Sequence, residues 1–456
     1  MKAEREGKSS SATRVAGRGS DRDAVIPRRA PGISPSPQGP AKSPRSVACL
    51  VLHTHMPYVR MNGDWPCGEQ WILEAWAECY LPIWELVEDL AEGKVPGKLA
   101  LTLTPILAEQ LTDPYLESRF QGYLLNRIRQ AEEETARLKG MGDQARANLA
   151  LLYRDELRGL LLSFEERFRG RMMEVLARAM DSGKVEVLAS AATHAHLPSL
   201  GSNVFRRAQI KVGLEEYRRL FEREPAGFWL PECAYTPELD EVLSGFTPPL
   251  RYVVLDHSAA ENAGIPRLLG NTRLVALLRD REAHEMVWTD TGIPSHGPYR
   301  DYSKRDHQGH GFQYWRVTSL DTPLDLKEVY DPEKAVEQAR KDAREFALSV
   351  IGRMEGESGS LAASRKEADE SGAAGFRCLL TAYDTELMGH WWREGPVWLR
   401  EVLSLLEGHL ELPAAVAKTA KEGLDLEAVS PRETSWAPEG DFTPWINPKT
   451  QALWDT

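Results

Sequence analysis

No stretch of this 456-residue chain approaches the roughly 18 consecutive apolar residues of a membrane-spanning helix, so none is read from the sequence. Cysteine is sparse as well. Cys49, Cys67, Cys79, Cys233 and Cys378 are odd in number and show no CxxC spacing, which argues against a disulfide framework or a zinc knuckle and makes a reducing cytoplasm the expected setting. Positive charge is in deficit: 56 Lys and Arg face 68 Asp and Glu, for a net charge of −12. A nucleic-acid partner is therefore not expected, because phosphate binding needs clustered cations. No internal repeat of fixed period is visible, and residues 1–45 contain no apolar block long enough for a signal-peptide core.

Those first 45 residues have their own composition, with six prolines, many serines and Lys/Arg in excess over Asp/Glu. Such a segment buries too little apolar surface to offset its ordering entropy, so a disordered basic tail is expected over 1–45. A second low-complexity stretch, 355–374, is rich in Gly, Ser, Ala and charge and is expected to form a flexible loop.

The rest of the chain alternates short apolar runs with helical periodicity. Val47 to Leu52, Leu99 to Leu103, Val185 to Ala189, Phe228 to Leu230, Arg251 to Leu255 and the run before Asp384 read as parallel strands, and Met286 and Val287 are taken as another strand end leading to Trp288. Helices are expected over 70–93, 203–223 (capped by Asn203), 332–354 and 396–408, and a charged helical region over about 116–182 exceeds what a simple crossover needs.

Each run ends on residues capable of chemistry. His53 and His55 follow the first, His194 the third, Glu232 the fourth and Asp384 the last. Glu232 lies in Phe228-Trp229-Leu230-Pro231-Glu232-Cys233-Ala234-Tyr235, and Asp384 in Tyr383-Asp384-Thr385-Glu386 ahead of His390-Trp391-Trp392. An acid placed after a buried strand among aromatic side chains is shielded from water, and its pKa can be tuned for proton transfer or nucleophilic attack. Two such acids suggest a glycosidase, and strand C-termini are where a barrel carries its catalytic groups.

In order along the chain, these motifs resemble glycoside hydrolase family 57. His53-Thr54-His55-Met56-Pro57-Tyr58 resembles the family's first region, Ala192-Thr193-His194-Ala195-His196 its second, Trp229-Leu230-Pro231-Glu232 its third, Tyr383 to Trp392 its fourth, and Ser435-Trp436 with Trp445-Ile446-Asn447-Pro448 its fifth. Within the family the resemblance is to 1,4-α-glucan branching enzymes and related α-amylases. It implies an α/β fold built on an incomplete (β/α)7 barrel over 46–400, with a helical insertion at about 116–182 and the start of a truncated C-terminal helical domain over 401–456. It also implies a retaining mechanism on α-glucan, with Glu232 as nucleophile and Asp384 as general acid/base. His53, His55, Trp71, His194, Arg279, Trp288, Trp436 and Trp445 fall at the positions implied to contact substrate. The resemblance implies no metal or other cofactor.

Other readings of the same residues stand beside this one. His53 and His55 alternate along an extended segment and point the same way, which also suits a metal pair, although no acidic or cysteine ligand motif accompanies them. His194 also reads as a core histidine, and Trp76, Trp84 and Trp398 as core tryptophans; of Trp391 and Trp392, one is expected to line the site and the other to pack. The segment from Glu232 to Trp288 is short for a branching enzyme, and 261–281 contains no Tyr, which favours hydrolysis over transfer. The rival from another class is a catalytically weak glucan-binding protein.

Overall fold

The structure, a computed structural model, describes residues 46–261, 263–355 and 376–453. The basic tail expected over 1–45 and nearly all of the loop expected over 355–374 lie outside the described residues.

Among these residues nine strands form one sheet. They are β1 (Ser46–Thr54), β2 (Leu99–Leu103), β3 (Val185–Ser190), β4 (Gly227–Trp229), β5 (Tyr252–Leu255), β6 (Arg267–Leu269), β7 (Val275–Leu278), β8 (Arg377–Asp384) and β9 (Ala428–Val429). Their order is β8-β1-β2-β3-β4-β5-β7-β6-β9. Each neighbouring pair from β8 to β7 is parallel, while β6 runs antiparallel to β7 and pairs parallel with β9. The sheet is curled. A parallel bridge between Arg279 and Leu380 joins the end of β7 to β8, with the Asp280 amide donating to the Leu380 carbonyl at 2.6 Å.

Strand sequences such as Val47-Ala48-Cys49-Leu50-Val51-Leu52 are buried on both faces, as expected for parallel strands covered by helices. Because successive side chains point to opposite faces, the two faces separate cleanly. Ala48, Leu50 and Leu52 pack with helical residues such as Trp76, Trp84 and Trp398 in the outer core. Val47, Cys49 and Val51 meet Leu188, Trp229, Tyr252, Val254, Val275, Leu277 and Leu380 inside the curl. The expected core roles of Trp76, Trp84 and Trp398 are thus observed.

Helices α1 (Glu69–Ala75) and α2 (Leu81–Ala91), joined by the π-helical turn Trp76–Tyr80, follow β1. Next come α3 (Pro105–Leu111), the packed pair α4 (Pro114–Gly140) and α5 (Gln144–Ser163), α6 (Met172–Asp181), α7 (Asn203–Phe221), α8 (Leu239–Ser244), α9 (Arg281–Trp288) and α10 (Pro332–Glu355). Two local expectations are corrected. Met286 and Val287 belong to α9 rather than to a strand: Asp280 caps the helix by accepting from the Ala283 amide at 2.8 Å, and buried Ala283 and Val287 recur at the helical period. The cap of α7 is Ser202, which accepts from the Val204 amide at 3.1 Å, and Asn203 is the first helical residue.

Helix α7 packs very closely on the end of β3. A Cβ on Gly213 would lie 1.9 Å from the Ser190 carbonyl oxygen, three residues before Thr193. Replacing glycine by alanine inside a helix ordinarily stabilises by about 1 kcal/mol. At Gly213 the collision reverses the sign, and Gly213→Ala should cost about 1–3 kcal/mol, the usual range for overpacking. Gly122→Ala in α4, where a Cβ meets nothing within 4 Å, should instead raise the melting temperature. Thermal melts of the two variants test this pairing of opposite signs.

Candidate active site

The alternation that fills the interior of the curl continues past the ends of the strands. Cys49 and Val51 are followed on the same face by His53, and Cys378, Leu380 and Ala382 by Asp384. Asp256 follows Val254 and Arg279 follows Leu277 in the same way. A cavity of about 370 Å³ opens at these ends, lined by His53, His55, Trp71, His194, Glu232, Trp288, Asp384 and Trp436 among others.

Glu232 sits in a tight turn, Pro231–Cys233, with φ 60°. His194 has φ 56°. Left-handed backbone at a residue other than glycine is costly and persists where surrounding structure enforces it, commonly at functional sites. One Glu232 oxygen accepts from Trp436 Nε1 at 2.7 Å, and the other lies 3.6 Å from His194 Nδ1. Burial raises the Glu232 pKa, and the Trp436 donor opposes that rise. Asp384 is pushed well above the ordinary carboxylate range by burial, then by the charges of Glu386 and Glu232, with Arg279 pulling the other way. Glu386 is raised to about 7, mainly by burial, although the Tyr80 hydroxyl donates to it at 2.5 Å.

Three imidazoles form one wall. His53 Nδ1 bonds the Thr102 hydroxyl at 2.6 Å, His55 Nδ1 the Thr104 hydroxyl at 3.0 Å, and the Nε2 atoms of His53 and His194 lie 2.9 Å apart. The rings of His55 and His194 stack at 3.8 Å, and His53 stacks on Trp229 at 5.0 Å. Burial holds all three below the usual histidine range, His55 at about 4, so at neutral pH the wall is uncharged and offers hydrogen bonds rather than cations. Among the described residues, no group of three or more His, Cys, Asp or Glu is arranged to hold a metal ion.

Aromatic planes form much of the remaining lining. Trp71 and Trp288 are about two-fifths exposed, at 38% and 41%, and Trp391 packs edge-on to Trp288 at 6.0 Å. Trp391 lines the cavity whereas Trp392 is buried, which is the division expected of that pair.

Two nominated residues do not line this cavity. Arg279 is buried, with one arm on Asp256 at 3.0 Å, the other on His284 Nδ1 at 2.5 Å, and its guanidinium 5.3 Å from the Trp436 ring centroid. Trp445 stacks on His196 at 5.0 Å. Conversely, His284 and Glu386 line the cavity without having been nominated. Glu386 had a signal, since it lies two positions beyond Asp384. His284 was hidden by reading α9 as a strand end.

The model of glycosyl hydrolase family 57 matches residues 49–305. This chain belongs to that family. Two curated relatives align with most of its length. It is 33% identical over 440 residues to a 1,4-alpha-glucan branching enzyme of Thermococcus kodakarensis, covering 89% of this chain and 62% of the relative. It is 30% identical over 418 residues to a probable 1,4-alpha-glucan branching enzyme of Mycobacterium tuberculosis, covering 89% of this chain and 76% of that one. The chain therefore spans less than two-thirds of the length of the first relative. Among solved structures, a family 57 branching enzyme from Pyrococcus horikoshii superposes with a TM-score of 0.78 at 31% identity, covering 90% of this chain and 76% of the other. The α-amylase AmyC of Thermotoga maritima gives 0.72 at 26% identity, covering 87% and 78%.

The Trp436 contact in this family 57 site can be tested without turnover. Trp436→Phe keeps the ring but removes the donor that stabilises the Glu232 carboxylate, so Glu232 should titrate at higher pH. Carbon-13 NMR of labelled glutamate carboxyls, assigned with Glu232→Gln, reads the direction of the shift.

Proposed function

We propose that this chain is a retaining glycosidase/transglycosylase acting on α-1,4-glucans in the manner of a branching enzyme. The observation that carries the proposal is that Glu232 and Asp384 face one cavity in unlike surroundings. Glu232 has an indole donor that favours its ionised form, whereas Asp384 has Glu386 and Glu232 as neighbours that favour its protonated form. Pairs of acids pushed apart in this way divide into nucleophile and proton donor.

Glu232 then attacks the anomeric carbon while Asp384 gives its proton to the leaving oxygen, producing a glycosyl ester. In the second step a hydroxyl attacks that carbon, its proton passes to Asp384, and Glu232 leaves as a carboxylate. The neutral wall of His53, His55 and His194 would hydrogen-bond sugar hydroxyls, and Trp71 and Trp288 would stack on apolar sugar faces. Arg279 would act from behind the lining, through Asp256 and His284, and Trp445, beside His196, would meet the glucan outside this cavity. The seven parallel strands from β8 to β7 read as an incomplete (β/α)7 barrel, with α4 and α5 as its helical insertion. Glycogen biosynthesis in the cytoplasm is the setting that suits such an activity and five unpaired thiols.

Hydrolysis is the second reading, supported by the likeness to an α-amylase and by the short segment between Glu232 and Trp288. Purified chain incubated with amylose, followed by iodine staining and reducing-end assay, tests the proposal. Glu232→Gln and Asp384→Asn should each lower turnover by about 10³-fold or more, since neither amide can attack or donate as required. Binding of amylose without change in either signal would instead identify a glucan-binding protein. On the second reading, debranching and chain-length analysis should find few new α-1,6 linkages.

Glu386→Gln carries a separate expectation. Removing that negative charge stabilises the Asp384 carboxylate and lowers its pKa. An acid that must be protonated fails as pH rises through its pKa, so the alkaline limb of kcat/KM should move to lower pH. A pH–rate profile of the variant on amylose reads the shift.

A further inference from the structure

A second cleft adjoins the catalytic cavity. It encloses about 810 Å³, more than twice the volume beside it, and the two share His284, Trp288 and Trp436 as a common wall. Its outer walls are the turn after β5, the solvent face of α9 and the segment around 430–440. Arg281 and Arg432 face Glu261, Glu285 and Glu439, and the Arg281 side chain is paired with Glu285 at 2.7 Å. That balance offers nothing to attract an anion. It suits a neutral, hydroxyl-rich ligand, for which the half-exposed Trp288 supplies an apolar plane.

The shared wall also carries a fixed hydrogen-bond donor. Asp256 holds one arm of buried Arg279, and the other arm donates to His284 Nδ1 at 2.5 Å. A guanidinium can only donate, so Nδ1 is the acceptor and the imidazole proton sits on Nε2. Burial acts to raise Asp256, but His257 and Arg279 hold it down at about 2, so this chain of contacts stays charged and oriented at working pH. His284 Nε2–H makes no hydrogen bond to protein among the described residues.

We infer that this second cleft receives the acceptor glucan chain, and that His284 donates from Nε2 to an acceptor sugar oxygen where the two cavities meet. The inference rests on the glycosyl transfer proposed above and assigns where the second chain binds. In the step it serves, the acceptor 6-oxygen bonds to the anomeric carbon as the bond from that carbon to Glu232 breaks. The hydroxyl proton goes to the Asp384 carboxylate, which lost its own in the first step. Arg279 is a positioning residue here, acting on the ligand through His284.

The test uses the full chain with amylose as donor and maltotetraose as added acceptor, and reads new linkages per new reducing end. A ratio is insensitive to a general loss of active protein. His284→Ala removes the donor and Ala260→Trp narrows the cleft. His284→Ala should lower the ratio about five- to tenfold, the size of one lost hydrogen bond, and Ala260→Trp should lower it as well; both should raise the KM for maltotetraose, while His284→Gln should restore part of the ratio. An unchanged ratio and acceptor KM in both variants would overturn the inference, as would equal loss of both products, which marks a structural role. Reducing ends without new linkages in the unaltered chain, even at high maltotetraose, would overturn it and leave the hydrolytic reading standing. No turnover of amylose at all would remove the proposed function and the inference together.

Discussion

The arrangement of this molecule depends on the two-residue period of its strands. Side chains that alternate between faces separate an outer core against the helices from an inner core within the curl, and the same count decides which residue meets the cavity when each strand ends. Cys49, Val51 and His53 form one such column, and Leu380, Ala382 and Asp384 form another. A slip of one residue in β1 or β8 would exchange apolar core for site residues in a single step. Parallel pairing over eight positions between β1 and β8 sets that register.

Desolvation then acts on whatever the columns deliver. It lowers the histidines and raises the acids, and the result is a neutral wall opposite two carboxyl groups with different neighbours. Geometry places the groups, and burial sets the protonation states in which they meet a ligand.

Much of this was legible in the sequence because it is local. The apolar runs marked β1, β2, β3, β5 and β8, and reading one to three positions past a run found His53, His55 and Asp384. The failures share a cause. Met286 and Val287 are apolar neighbours whether the segment is helix or strand, and what decides in favour of helix is the Asp280 cap, which nothing in the pattern flagged. Arg279 was recognised by its position, but its burial behind the lining depends on Asp256 and His284, which are brought to it by the pairing of β5 with β7 and by the start of α9. Trp445 is placed away from the cavity by stacking on His196, some 250 residues earlier in the chain. Long-range partners of this kind leave no trace in local composition.

The seam between β7 and β8 has a consequence for how the molecule would come apart. Every other neighbouring pair from β8 to β7 shares a register of two or more positions, whereas β7 and β8 meet at the Arg279–Leu380 bridge, backed by buried Arg353 on Asp280 at 2.5 Å. The curl is therefore a nearly closed ring whose β7–β8 seam has the shortest backbone register of its parallel pairs, so side-chain contacts such as Arg353 on Asp280 carry more of the closure there. Parting that seam carries Arg279, and with it His284, away from Asp384 while the strands from β8 through β5 remain paired. If the seam parted before the rest of the sheet, the cavity would lose its shape while most of the secondary structure was still intact.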